Sequence, residues 1–309
     1  MFTLLAAAFA VINGVNDGGA MVASQLRVPG LRPFAALLVL TGALVAVPLV
    51  LGTGVADTLT SGLVEASREA QPQVVATGAT AAIVVVAVLT RIGLPTSLTL
   101  GMVGGIVGAG VGRGLPVLGA GLGKVVFIGV AAPIVGGLIA QRLVPLSAIA
   151  LTRRGTRGLA LLAVVATVAQ AVAYAANDGQ KMFAVVTVSA VGITPPVITG
   201  VAVLFAVGTV VGLRAAAGTM GGGIVRGGPQ EEVTAQLGAA VAVLSSAVLA
   251  VPVSMTQAVA GGLVGTGMLR GLRQVRWRVA GQLALAWVLT LPSAAVVGVG
   301  IIWTWEAVA

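Results

Sequence analysis

Apolar stretches of membrane-crossing length, parted by short charged loops, dominate this chain of 309 residues. Runs at 35–51, 79–89 and 197–211 are apolar without period-two alternation. Crossing a bilayer takes roughly 20 apolar residues as helix, or 9–11 alternating residues as a barrel strand. The first pattern fits and the second does not. Only 8% of the residues are charged and the mean hydropathy is +1.11, whereas a soluble domain carries about 25% charged residues to cover its surface. Most of the outer surface must therefore face lipid, and the expected fold is an all-α polytopic membrane protein.

Charges and helix breakers mark off about ten membrane segments, at 2–25, 33–54, 73–90, 94–112, 117–140, 158–180, 195–213, 233–250, 252–269 and 279–303. The intervals leave no room for a soluble domain. If every segment crosses, one side collects Arg27, Arg32, Arg91, Arg142, Arg153, Arg154, Arg157, Arg214, Arg226, Arg270, Arg273, Arg276 and Arg278. The other side holds Arg68 and Arg113, with Lys124 and Lys181 near or inside the membrane. Arginine accumulates on the cytoplasmic face, so both termini are expected to be extracytoplasmic in a plasma-membrane protein. The apolar opening, 1–10, has no basic flank and runs straight into Asn13–Asp17, so it reads as the first membrane segment and not as a cleaved signal.

The net charge is +9. In this setting the excess is loop arginine that sets orientation, and aromatic residues at 4% are too few for a base-stacking surface; nucleic acid is excluded as a partner. With no cysteine and no histidine, disulfides, thiolate metal sites, cysteine nucleophiles and histidine proton relays are excluded too. Any chemistry must run on Asp, Asn, Ser, Thr, Gln, Lys and backbone groups.

Landmarks recur. Asn16-Asp17-Gly18 returns as Asn177-Asp178-Gly179, and Leu94-Pro95-Thr96-Ser97-Leu98-Thr99 returns as Val251-Pro252-Val253-Ser254-Met255-Thr256, in the same order and at similar spacing. Five segments precede the second set, an odd number, so the second half would be inverted relative to the first. The expected organisation is a first repeat at 1–145, a basic cytoplasmic linker at 146–157 and a second repeat at 158–309, with broken helices or hairpins at the midplane. Inverted repeats with Gly/Pro-interrupted helices at matching positions point to a secondary transporter.

Asp17 and Asp178 each lie inside an apolar stretch, where an acid costs roughly 2.5–3.5 kcal/mol on insertion scales. One role for such a residue is to pin a helix break through backbone N–H groups. The duplication favours another, in which Asp17 with Asn16 and Asp178 with Asn177 form a coupling-cation site. Hard oxygen ligands suit Na⁺, and a buried acid can instead carry H⁺. The proline motifs free backbone groups at depth, and Ser97, Thr99, Ser254 and Thr256 set hydroxyls beside them. With Gly18 and Gly179 from the other motif pair, this makes a cradle for an oxyanion near helix N-termini; back-bonding of the hydroxyls to their own helices is the alternative. Gln180 and Lys181 follow the second motif directly, and Lys181 could neutralise Asp178, meet an anion or snorkel to the interface. The glycine-rich runs 101–112 and 218–223 lack the Lys-Ser/Thr of a phosphate loop and read as close helix packing. The run 270–278 reads as a cytoplasmic anchor, more weakly as a lipid head-group site.

At these residues the sequence resembles the PiT family of inorganic phosphate transporters, of bacterial low-affinity permease type. The first signature is Gly14-Val15-Asn16-Asp17-Gly18-Gly19-Ala20-Met21-Val22-Ala23-Ser24, and the second Ala176-Asn177-Asp178-Gly179-Gln180-Lys181. The later pattern runs from Gly218-Thr219-Met220-Gly221 through Ala235-Gln236-Leu237 to Pro252-Val253-Ser254-Met255-Thr256, and 276–292 is similar to the family's last helix. The resemblance implies symport of phosphate with Na⁺ or H⁺, no other cofactor, and a homodimer among membrane lipids. It includes members that carry sulfate. The chain departs from the family at Ala20, where Asn is usual, at Leu100 and Gln257, where His is usual, and at Tyr174, where a His often precedes the second motif. An intramembrane aspartyl protease is disfavoured because the acids sit in Asn-Asp-Gly repeats with no Gly-x-Gly-Asp. A non-transporting paralogue or scaffold is the remaining alternative from another class.

Overall fold

The computed structural model describes residues 2–28, 32–92, 96–188, 192–219, 223–225 and 227–308. Leu94 and Pro95 of the first proline motif, Met220 and Gly221 of the later pattern, and Arg226 lie outside the described residues, as do the side chains of Arg27, Arg153 and Arg214.

The described chain is helical almost throughout. Helix α1 (Phe2–Asn13) passes through a π-helical turn, Gly14–Gly18, into α2 (Gly19–Ser24). Then come α3 (Pro33–Leu51), α4 (Gly54–Ser61), α5 (Gln71–Arg91), α6 (Leu98–Gly112) and the long α7 (Gly119–Ala176). After these follow α8 (Gln180–Thr187), α9 (Pro195–Thr219), α10 (Pro229–Val248), α11 (Met255–Leu269) and α12 (Trp277–Val308). Local chemistry explains several ends. Pro33, whose fixed φ suits the first turn of a helix, opens α3, and Gly52 closes it at φ 72°. Ser97 caps α6 by accepting a hydrogen bond from the Leu100 N–H at 3.3 Å. Glu231 accepts the Gly228 N–H at 2.8 Å to start α10. Helix α7 turns at Gly155, whose φ of 55° and ψ of −140° are open to glycine. The stretch 141–154 stays helical even across Pro145, so helix continues through most of the basic region expected to be a linker.

Each of the ten expected segments contains a helix, and among the described residues seven helices are long and apolar enough to cross a bilayer: Phe2–Ser24, Pro33–Leu51, Gln71–Arg91, Gly119–Ile149, Arg154–Thr187, Pro195–Leu213 and Trp277–Ala307. Helices α6 and α11 have 15 residues each, which is about 22 Å of helix against a hydrocarbon core of about 30 Å. Helix α10 carries Glu231 and Glu232 in its first turn.

Helices α5 and α6 form a hairpin whose two ends are stitched together: Val64 bridges Val117, and Leu118 donates to the Leu63 carbonyl at 2.9 Å. Helices α10 and α11 form another, with Val225 bridging Val275 and Arg276 donating to the Ile224 carbonyl at 2.9 Å. Each hairpin therefore leaves at the level where it entered. At the second tip Ala250 adopts φ 55°, a conformation that costs an L-residue roughly 1–2 kcal/mol. The tip is held by Thr58 Oγ1 donating to the Ala250 carbonyl at 2.6 Å and by Lys124 donating to the Leu249 carbonyl at 3.0 Å.

The hairpins are clamped by backbone-to-backbone seams. A Cβ on Gly104 or Gly108 of α6 would strike the Leu291 and Ala295 carbonyls of α12, and one on Gly261 or Gly265 of α11 would strike Pro133 and Gly137 of α7. Lipid offers no hydrophobic drive for helix association, so such close approach is what packing in a membrane relies on. Gly104→Val should lower the thermal unfolding midpoint in detergent, at a cost of about 1–3 kcal/mol for overpacking. Gly42→Ala, where nothing stands within 4 Å, should be neutral or slightly stabilising. Equal midpoints for the two variants would mean that the α6–α12 seam does not hold the fold.

Candidate functional site

The first motif lies on the π-helical turn, not on a broken helix. The Gly19 N–H reaches back to the Gly14 carbonyl, the five-residue spacing that marks π-bulges at functional sites. One face of this turn is pressed onto α9: a Cβ on Gly14 or Gly18 would meet Phe205 and Thr209, and Gly208 and Gly212 pack reciprocally on Val11 and Val15. With that face fixed, Asp17 projects inward and is 3% exposed. The second motif does break its helix. Asn177 leaves helical geometry at φ −124° and ψ −80°, and the turn 177–179 precedes α8.

The two acids meet at one side chain. Lys181 Nζ lies 2.7 Å from Asp178 Oδ1, 3.3 Å from Asp17 Oδ2 and 3.0 Å from Thr99 Oγ1, with about 1% of its side chain exposed. It does not snorkel, because each end of its polar head finds an oxygen within the protein. Thr99 also donates to Asp178 Oδ1 at 3.1 Å, and the Met255 N–H donates to Asp178 Oδ2 at 2.6 Å. Asp17 receives the Asn16 amide on Oδ1 at 2.7 Å and the Tyr174 hydroxyl on Oδ2 at 3.4 Å. The first turn, the second turn and both hairpin tips thus converge on one ion cluster. Removing one partner from a buried pair of this kind costs about 3–5 kcal/mol, chiefly by stranding the other charge.

Other expected residues serve as anchors. Asn177 is fully engaged with the second hairpin tip: its Oδ1 accepts the Val253 N–H at 2.9 Å and its Nδ2 donates to the Val251 carbonyl at 2.8 Å. Gln180 turns away from the cluster, accepting the Val55 and Ala56 N–H groups at 2.8 and 3.1 Å and donating to the Ala176 and Gly52 carbonyls. Ser97 is occupied as the cap of α6, while Ser254 and Thr256 share a hydrogen bond of 2.8 Å. Gly18 faces the α9 seam and Gly179 packs on Leu44. Among the described residues no three His, Cys, Asp or Glu side chains come together as a metal site.

A cavity of about 380 Å³ abuts the cluster. It is lined by Asn16, Ala20, Ser24, Thr96, Gln170, Met255 and Thr256, and also by Gly223, Glu232, Val279 and Trp287. Sequence reasoning gave no role to several buried polar groups, of which Thr96 and Ser24 line this cavity. The Thr96 hydroxyl and both ends of the Asn13 amide have no hydrogen-bond partner. Ser24, Gln25, Thr167 and Gln236 form a buried network in which Thr167 donates to Gln25 Oε1 at 2.8 Å and Gln236 to Ser24 Oγ at 3.0 Å. Glutamines within apolar stretches were the available signal.

Fold and site together define a helical membrane protein of transporter architecture, with a buried ion cluster whose neighbours Asn16 and Met255 line a cavity. The chain belongs to the phosphate transporter family, whose model matches residues 13–157 and 146–298. A probable low-affinity inorganic phosphate transporter of Mycobacterium leprae is 33% identical over 97% of this chain and 76% of its own length. Proteins of the same description from Bacillus subtilis and Rhizobium meliloti are 28% and 27% identical over 96% and 94% of this chain, and 94% and 91% of their own. A solved structure titled as the sodium-dependent phosphate transporter has the same fold, with a TM-score of 0.80, 19% identity and coverage of 100% of this chain and 98% of that one. These relatives and this fold are those of transporters and not of an enzyme family.

Asn177→Ala would leave the Val253 N–H and the Val251 carbonyl without their partner, at about 1–3 kcal/mol for each buried group orphaned. A lower unfolding midpoint in detergent is expected, and an unchanged one would show that the tip is held by other contacts.

Proposed function

We propose that the chain is a secondary transporter that carries inorganic phosphate together with a monovalent cation, Na⁺ or H⁺, across the plasma membrane. The observation that carries this reading is the convergence of both acidic motifs and both hairpin tips on a single buried ion cluster that borders a cavity. Asp17, with Asn16 beside it, holds the coupling cation. Asp178 and Asn177 fix the second hairpin tip against that site. Phosphate enters the cavity and is met by hydroxyls and amides, Thr256 with Ser254, the unpaired Thr96 and Asn16, while Ser97, Thr99, Gln180, Gly18 and Gly179 hold the frame. Uncharged donors suit an ion that must be released again.

The same reading makes 1–145 and 158–309 inverted repeats joined at 146–157, with ten segments and with the α5–α6 and α10–α11 hairpins reaching the midplane. Its support is the pairing of features at matching positions: the Val64–Val117 and Val225–Val275 bridges, and the glycine seams of α6 on α12 and of α11 on α7. Each hairpin packs on a helix of the other half, an arrangement that lets the halves rock about a fixed site. Arginine placement puts both termini outside and the Glu232–Trp287 end of the cavity toward the cytoplasm. A homodimer in the lipid plane completes the proposal.

Purified protein in liposomes should accumulate radiolabelled phosphate when a Na⁺ or pH gradient is imposed. Asp17→Asn should insert normally and lose the gradient-driven uptake, because the charged group assigned to coupling is removed. Uptake of sulfate in place of phosphate would move the substrate assignment, and undiminished phosphate uptake by Asp17→Asn would remove Asp17 from the mechanism.

A further inference from the structure

We infer that the Lys181 ammonium is a tethered cation that permanently fills the Asp178 half of the acidic pair, so that one mobile cation, held at the Asp17 half, accompanies each phosphate. The inference deepens the cation-coupled reading above and rests on it.

The geometry around Nζ is that of a cation in an oxygen shell. Oxygens of Asp178, Thr99 and Asp17 surround it at 2.7, 3.0 and 3.3 Å, and they come from α6, the π-helical turn and the break before α8. A small hydrated ion would use the same donors. Two acids paired with one ammonium leave a single negative charge, and a buried uncompensated charge is costly. The cluster is therefore short of one cation.

The remaining demand lies at Asp17. Lys181 stands three residues after Asp178, whereas three residues after Asp17 stands Ala20, whose methyl group lines the cavity. The first motif thus carries no lysine of its own: Asp17 shares Lys181 at the longer distance of 3.3 Å, and Asn16 and Ala20 on either side of it line the cavity. One turn before Asp17, Asn13 is fully buried with both amide atoms unpartnered. Its amide interacts with the Tyr174 hydroxyl, which itself donates to Asp17, and its carbonyl oxygen Oδ1 has no donor. A buried carbonyl oxygen with no donor is a ligand in waiting for a cation at this carboxylate. At the second motif the corresponding groups are all engaged.

The test compares the parent with Lys181→Met, Asp178→Asn and the double variant in proteoliposomes, using the gradient that drives uptake in the parent. The parent should show a Hill coefficient for the cation of about one and Lys181→Met about two, with one more positive charge moved per phosphate at the reversal potential. Asp178→Asn leaves Lys181 to neutralise Asp17, so cation-driven uptake should disappear. Adding Lys181→Met to it should bring that uptake back with the parent's coefficient. An unchanged coefficient in Lys181→Met, or failure of the double variant to recover uptake while inserted in the membrane, would overturn the inference. Should Lys181→Met alone fail to insert, the double variant, which removes charge as a matched pair, decides. Absence of gradient-driven uptake in the parent would instead defeat the transport reading itself.

Discussion

A lysine ammonium held between two carboxylates in the lipid interior is the constraint that organises the rest of this structure. Charges at that depth are tolerated only when paired and hydrogen-bonded. The protein meets the requirement by bringing four pieces of backbone to one point. The π-helical turn delivers Asp17, the break at Asn177 delivers Asp178 and Lys181, α6 delivers Thr99, and the start of α11 delivers the Met255 N–H. Each piece is irregular or terminal backbone, and in a bilayer such backbone survives only where protein groups satisfy it. The ion cluster and the helix interruptions therefore depend on each other.

The glycine content follows from the same demand. For four interrupted elements to reach one point, their flanking helices must approach more closely than ordinary side chains allow. The seams of α2 on α9, α6 on α12 and α11 on α7 are the means. Polar anchors do the finer positioning: Asn177 ties the second tip, Gln180 ties the start of α4, and Thr58 and Lys124 hold the strained Ala250 turn. None of these needs to touch substrate to matter for transport.

Much of this was legible in the sequence. Acids inside apolar runs are conspicuous, so Asp17 and Asp178 stood out, and recurrence at matching positions tied each to a hydroxyl-bearing tip. Direction was not legible. Gln180 and Lys181 are adjacent, and a one-residue difference in helical phase after a broken turn sends one to the Gly52–Ala56 backbone and the other to the cluster. The first motif is a π turn and the second a break, although both read Asn-Asp-Gly, because close packing on α9 holds the first in continuous helix. Asn13, at the edge of the first motif, received no role of its own for a related reason: a lone amide one turn before an acid carries no signal until its surroundings are known.

The asymmetry between the two motifs is then the informative part of the duplication. A perfectly matched pair would present two equivalent acids and demand two equivalent cations. Here one half carries its own positive charge on a side chain, while the other ends in a methyl group, an unpaired amide and a cavity wall. An internal ammonium cannot leave with the substrate, so under the proposal above it neutralises its acid without entering the transport stoichiometry. In the proposed coupling, the half without one borrows its cation from solution, and that borrowed charge is what would let a gradient act on the protein.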